Sequence, residues 1–266
     1  KRRAGEYIVA TDTSLPFLVS SGITPEYIVS VDCQNHSYHH FFSVMPGCVL
    51  VLDLASPPGL FRLRNPVVPV AGGHPFATYL SRYIYPFISI DTSGGNVTHA
   101  AVSFAGRFRP REIEIHGADF SYPEGKLYAK GTYLYNYFAT FEDRVRNLET
   151  MTARMLFEKS GLTREPMNNG GICYLSPLLE SYRERLADAA STLSTDLISN
   201  GELLTRRSGR PRGHAASMHD TPALPDWKAV RRDLLDDLAG ITIGSGSFQS
   251  ILSCLDNRKL DLLYAV

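Results

Sequence analysis

Thr92-Ser93-Gly94-Gly95-Asn96 is a small, glycine-rich run that leads straight into an apolar stretch at 97–108. A helix entered in this way offers unpaired backbone N–H groups and the positive end of its dipole. Glycines let an anion approach those groups closely, so the pattern suits a phosphate. Asn96 alone would do no more than cap the helix. Asp119 follows the strand pattern 112–116 after Gly117-Ala118, and Asp12, Asp32 and Asp53 each end a strand pattern of their own. Open α/β sheets bind ligands just beyond the carboxyl ends of their strands. A single carboxylate there would be a helix cap, whereas four on one edge predict a polar rim around a cleft. Tyr122 and Tyr128 lie six residues apart just after Asp119. Phenols can donate hydrogen bonds to a departing phosphate without bringing a charge that must be neutralised. Packing in a tyrosine-rich strip with Tyr133, Tyr135 and Tyr137 is the alternative.

Other clusters carry weaker signals. His36, His39 and His40 include an i,i+4 pair on one helical face, but only Asp32 stands near enough to help hold a metal. Surface histidines beside a cleft are the preferred reading. His74, in Gly72-Gly73-His74-Pro75, follows a strand and could serve as an acid or base, or simply start a helix. The sequence has no serine-hydrolase elbow, P-loop lysine motif or HExxH. No DxD falls at a strand end, and Glu112-Ile113-Glu114 lies inside a strand.

The elements that would position these residues alternate as strand and helix about five times, at intervals of roughly 20–25 residues. The strands are continuous apolar runs, as expected when both faces are covered. The fold class is therefore α/β, Rossmann-like, with a mainly parallel sheet and helices on both faces, followed by a helical C-terminal part. Pro69 within 67–71 marks an edge strand or a strand end. Residues 1–135 form the expected nucleotide-binding core, and 136–204 the long helices that pack on it. One of these helices starts at Ser176-Pro177 and has apolar positions at Leu178, Leu179, Tyr182, Leu186 and Ala190. Residues 205–225 are basic and rich in Gly and Pro. They read as a flexible linker, or as a lid bringing Arg206, Arg207, Arg210, Arg212, His214 and His219 to an anion. Residues 226–266 form a small helical appendage.

The 266 residues are 44% hydrophobic and 20% charged, as in an ordinary globular protein. Zero net charge gives no overall electrostatic case for nucleic acid or an anionic membrane. No apolar run reaches the ~18 residues that would span a bilayer, and no signal peptide is legible. Cys33, Cys48, Cys173 and Cys254 are scattered without a CxxC. That disfavours a zinc knuckle or a disulfide framework and predicts a reducing, cytoplasmic setting. The chain opens on Lys1 and enters a strand pattern by Tyr7, so a fragment with further sequence upstream is expected.

The runs Ala10-Thr11-Asp12-Thr13-Ser14-Leu15, Tyr27-Ile28-Val29-Ser30-Val31-Asp32, Ile90-Asp91-Thr92-Ser93-Gly94-Gly95-Asn96-Val97 and Gly117-Ala118-Asp119-Phe120-Ser121-Tyr122-Pro123 resemble one superfamily. It holds the motility-accessory-factor (Maf) flagellin glycosyltransferases and the MptE-like 6-hydroxymethyl-dihydropterin diphosphokinases, and the resemblance covers roughly residues 7–200. It is also similar to bacterial sialyltransferases that use CMP-sugars. Their TSG loop, GxDF segment and two tyrosines six apart have counterparts in Ser93-Gly94, Asp119-Phe120, and Tyr122 with Tyr128.

The resemblance implies a cytoplasmic, nucleotide-dependent transferase. The leading reading is transfer of a nonulosonic sugar from CMP to a hydroxyl of a protein, such as flagellin, or of a glycan. Thr92, Ser93, Gly94, Gly95 and Asn96 would hold the nucleotide phosphate, and Tyr122 and Tyr128 would stabilise its departure. Asp12 and Asp32 stand where those transferases use Asn. Asp119 would belong to the catalytic set, and His214 or His219 could be the base only by exclusion. The family's N-terminal glycine-rich loop would lie before Lys1. The alternatives are an ATP- and Mg²⁺-dependent diphosphokinase, and a non-catalytic nucleotide-binding protein.

Overall fold

The computed structural model describes residues 5–44, 47–129, 131–167, 170–193, 195–199, 201–205, 225–239 and 256–265. The first half builds a five-stranded sheet from β1 (Val9–Thr11), β2 (Tyr27–Ser30), β3 (Val49–Asp53), β4 (Val67–Ala71) and β5 (Ile88–Ser89). The strands lie side by side in chain order, and each neighbouring pair is parallel. Side chains alternate between the faces, as the pleat requires. Ile28, Leu50 and Leu52 enter one apolar cluster with Leu15, Phe41 and Leu60. Val29, Val51, Val68 and Val70 enter another with Ala100, Ala101 and Phe104.

Consecutive parallel strands in sequential order need crossovers on one face if every connection is right-handed. That face is covered by α1 (Leu15–Ser20) and by two 3₁₀ turns, Asn35–Ser43 and Leu60–Arg62. After β5 the chain passes to the opposite face, where α3 (Val97–Gly106) packs. Helix α2 (Pro75–Tyr83) builds a third cluster of Ala71, Ala77, Tyr79, Leu80 and Phe87. The architecture is the expected α/β, Rossmann-like one.

Several local expectations change. Ser56-Pro57-Pro58, whose early prolines are a helix-start signal in the sequence, does not start an α-helix; only the 3₁₀ turn at Leu60 forms. β5 has only two residues, too few to carry a periodicity that sequence alone could show. Pro69 lies in a strand flanked on both sides, not on an edge. Its missing N–H is tolerated because pairing with β5 begins only at Val70. The strand at 112–116 is β6 (Glu112–Ile115), and it does not join the five-stranded sheet. It pairs in parallel with β10 (Asp196–Ser199), which pairs antiparallel with β11 (Glu202–Thr205).

Residues 136–204, expected to be long helices, also contain strands. β7 (Tyr122–Pro123) pairs with β9 (Ile172–Leu175), which pairs with β8 (Thr163–Pro166), both antiparallel. Around them lie α4 (Tyr133–Ala139), α5 (Leu148–Phe157) and α6 (Pro177–Thr192). Helix α6 meets α3, β6 and β10 in a cluster of Leu186, Ala190, Val102, Ile115 and Leu197, while Leu178 is exposed. In the C-terminal region, α7 (Trp227–Ala239) and α8 (Asn257–Ala265) dock on α2. Leu262 is fully buried there, Trp227 stacks on Phe87, and Asp237 joins the Tyr79 hydroxyl to the Arg258 guanidinium. Residues 206–224, including the lid candidates His214 and His219, lie outside the described residues.

Candidate functional site

Parallel pairing brings the C-terminal ends of β1 to β5 to one rim, which carries Asp12, Asp32, Asp53, Gly72-Gly73 and 91–95. The carboxylates there do different work. Asp53 is buried and accepts the Ala55 N–H and the Gly72 N–H, each at 2.8 Å. A Cβ on Gly72 would stand 2.4 Å from Asp53 Oδ2, so this pair ties the ends of β3 and β4 together. Asp12 is also buried, and accepts the Ser30 hydroxyl at 2.6 Å and the Thr13 N–H at 2.7 Å. Burial pushes its carboxyl up to about 6, against those hydrogen bonds and with help from the nearby Asp32 charge. Asp32 is half-buried and accepts the Gln34 N–H at 2.8 Å. Asp119 was expected on this rim. It follows β6 and is exposed, so it stands at the end of a different sheet.

Beyond Asp12 and Asp32 lie the tyrosines. Tyr128 is 45% exposed, yet Tyr122, Tyr133, Asp12 and Asp32 all act on its phenol. Burial raises its pKa first, and those neighbours raise it further. Tyr122 is raised by burial, shares a hydrogen bond with Ser176, and feels Tyr182. Burial and Asp32 likewise raise Tyr133. These shifts keep the phenols protonated, the form that can donate.

Three histidines surround Tyr133. His40 meets its ring edge-on at 4.6 Å, with His36 at 5.5 Å and His39 at 6.2 Å. The turn is 3₁₀, so His36 and His39 share a face, not His36 and His40. His40 is buried, its Nδ1 has no partner among the described residues, and burial pushes its pKa down to about 4. Among the described residues no three of His, Cys, Asp and Glu are placed to share a metal ion. His74 caps α2, its Nδ1 accepting the Phe76 N–H at 3.2 Å.

The glycine loop stands at the N-terminus of α3. Asn96 caps the helix by accepting the His99 N–H at 2.9 Å. Asp91 Oδ1 accepts the Ser93 N–H at 2.8 Å, and Asp91 Oδ2 is 3.2 Å from His99 Nε2. Burial raises the Asp91 carboxyl, but Ser93 and His99 outweigh it and leave it below its ordinary value. Thr92 Oγ1 accepts the Gly73 N–H at 3.0 Å, joining the loop to the end of β4. Gly94 is buried over the His99 ring, and a Cβ there would stand 1.7 Å from His99 Nδ1. Gly95 has φ +73° and faces helix α6. Tyr182 lies 3.0 Å, and Arg185 3.7 Å, from where the Gly95 Cβ would be. Arg185 Nη1 donates to the Ser93 carbonyl at 3.1 Å.

Sequence reasoning singled out the loop and the tyrosines but not Arg185, which the structure places beside the loop. Its only signal was a place three residues after Tyr182 on one helical face. His214, the base candidate, lies outside the described residues.

Residues 1–125 match the family described as 6-hydroxymethylpterin diphosphokinase MptE-like. This part of the chain is similar to the MptE-like family, and the match covers just under half of the chain. Over 120 residues the chain is 39% identical to an uncharacterized protein of Treponema pallidum (strain Nichols), covering 45% of this chain and 41% of that protein. The solved structure of the Maf glycosyltransferase from Magnetospirillum magneticum AMB-1 shares the fold at a TM-score of 0.51 and 17% identity, over 88% of this chain and 33% of that one. The chain thus spans well under half the length of these relatives. No described helix is long and apolar enough to cross a membrane.

Proposed function

We propose that the chain is a nucleotide-dependent transferase whose donor binds along the C-terminal rim of the parallel sheet. In the leading reaction a nonulosonic sugar passes from CMP to a protein or glycan hydroxyl, flagellin being the acceptor that the Maf likeness suggests. The observation that carries this reading is the place of Tyr128, whose phenol lies within electrostatic reach of Tyr122, Asp12 and Asp32, while Tyr182 acts on Tyr122 and stands against the glycine loop. In the proposed complex Thr92 to Asn96 receive the phosphate, and Asp12 and Asp32 bound the nucleotide and sugar. Protonated Tyr122 and Tyr128 donate to the leaving phosphate oxygen as negative charge builds there, a stabilisation exerted mainly on the transition state. The cytoplasmic location we propose rests on four scattered cysteines with no CxxC pair.

A diphosphokinase using ATP is the second reading, favoured by the MptE-like match and the neighbouring carboxylates. Mg²⁺ would bridge the phosphates in that chemistry. Mg²⁺ commonly takes only one or two protein carboxylates, with substrate phosphates and water as the rest. Asp32 fits that demand, whereas both oxygens of Asp12 are already engaged.

Calorimetric titration with CMP, and with ATP with and without Mg²⁺, separates the readings. Metal-independent CMP binding is expected. ATP binding only with Mg²⁺ would transfer the proposal to the kinase, and CMP binding without turnover would leave a non-catalytic nucleotide-binding protein. Tyr128→Phe should then lower kcat about 10²–10³-fold, with KM and melting temperature nearly unchanged. Normal turnover would return Tyr128 to a packing role.

A further inference from the structure

We propose that Arg185 is the cationic wall of a phosphate subsite at the glycine loop, taking a phosphate or pyrophosphate group; the proposal deepens the nucleotide-binding reading above and rests on it. The loop alone is a weaker anion site than its sequence suggests. The Ser93 N–H is given to Asp91, the Gly95 N–H to the Thr92 carbonyl, and the His99 N–H to Asn96. The Asp91 carboxylate, under the same loop, also opposes an anion. A positive charge is therefore needed, and no lysine or arginine lies within 91–106 to supply it. Helix α6 brings one from 92 positions away.

Arg185 is exposed, and one of its N–H groups holds the Ser93 carbonyl at 3.1 Å. A guanidinium has five donors in one plane, so its fork can present others to phosphate oxygens. Tyr182 stands beside it against Gly95, and Tyr122 lies within electrostatic reach of Tyr182. The subsite is thus continuous with the tyrosines proposed to serve the leaving group.

A second observation points to the same place. His99 is 3% exposed, and its buried Nδ1, set against Gly94 from beneath the loop, has no partner among the described residues. Native structures seldom leave such an atom unsatisfied, and an absent ligand or ion is one of the recognised reasons. His99 Nε2 is already held by Asp91, so the unpartnered nitrogen is the one that lies against Gly94 of the loop.

The test compares the wild-type chain with Arg185→Gln and Arg185→Lys. Each is titrated with CMP and cytidine, or with ATP and adenosine if the titrations above select ATP, and with inorganic pyrophosphate. A glutamine amide can still donate to the Ser93 carbonyl but carries no charge. Arg185→Gln should weaken the nucleotide and pyrophosphate at least tenfold, leaving the nucleoside affinity and the melting temperature unchanged. Arg185→Lys should recover part of the loss, since it restores the charge without the fork. Unchanged nucleotide and pyrophosphate affinity in Arg185→Gln would overturn the proposal. So would an equal loss for the nucleoside, or a lowered melting temperature, either of which would make Arg185 a strut for α6. If wild type binds pyrophosphate through Arg185 but binds no nucleotide, the subsite stands and the nucleotide reading fails. Wild type that binds none of the three overturns both.

Discussion

Asp12 and His40 are buried titratable groups displaced from their ordinary values in opposite directions. Asp12 is raised from 3.8 to about 6, so between those values the folded chain holds a proton that the unfolded chain has lost. Its contribution to stability therefore falls as pH rises across that window. His40 is lowered from 6.5 to about 4, so over that range the unfolded chain holds the extra proton. Its contribution rises with pH. A shift of about two units is worth roughly 3 kcal/mol, so the two effects nearly cancel between pH 4 and 6. Asp12→Asn should uncover the His40 slope, with unfolding free energy rising with pH relative to wild type. His40→Phe should uncover the Asp12 slope, falling with pH, each by at most about 1.4 kcal/mol per pH unit. Urea titrations at several pH values between 4 and 6 check this. Parallel pH profiles in wild type and both variants would show that neither group is displaced as stated.

The glycine loop and α3 act together. Gly94 has a bland duty as well as a proposed one, because any Cβ there meets the His99 imidazole. A bulky residue at 94 would therefore lower stability as well as close the loop, so lost nucleotide affinity in Gly94→Val would not by itself report on phosphate. Asn96 offers a cleaner measure of the helix. Its Oδ1 satisfies the His99 N–H, and its Nδ2 donates to the Gly94 carbonyl at 3.2 Å. Asn96→Ala should cost ~1 kcal/mol, the usual value of an N-cap. Asn96→Asp, which keeps the acceptor and adds a favourable charge at the helix N-terminus, should keep most of that stability. A stability unchanged in Asn96→Ala would mean that the cap contributes nothing.

The parallel sheet, the β11-β10-β6 sheet and the C-terminal helices are joined by separate apolar clusters. Leu186 seals α6 against α3, β6 and β10, whereas Leu262 seals α8 against α2. Truncating either leaves a cavity in a fully packed place, so Leu186→Ala and Leu262→Ala should each cost about 2–5 kcal/mol. Their effects on ligand should differ. Loosening α6 displaces Tyr182 and Arg185 from the loop, so Leu186→Ala should weaken nucleotide binding at temperatures where it remains folded. Leu262→Ala should not, because its cluster contains no residue of α6. Equal losses of affinity would mean that the C-terminal helices reach the site by a route these clusters do not reveal.

How much of this was legible in the sequence depended on distance along the chain. The strands β1 to β4, the acids at their ends and the capped, glycine-led helix α3 were readable, because apolar runs, turn residues and caps act within a few residues of each other. Once parallel pairing was inferred, the strand-end position of Asp12, Asp32 and Asp53 followed from pleat and direction alone. Their different duties did not: Asp53 is spent on Gly72 and Asp12 on Ser30, partners 19 and 18 positions away. β5 was too short to show a period, and the separation of β6 from the main sheet depends on its pairing with β10, more than 80 residues later. Arg185 lies 92 positions from Ser93, and only the packing of α6 on α3 brings them together. Local propensity and periodicity thus set the elements and one loop. Which groups share that loop was decided by non-local burial of apolar faces, a contact choice that no short window of sequence contains.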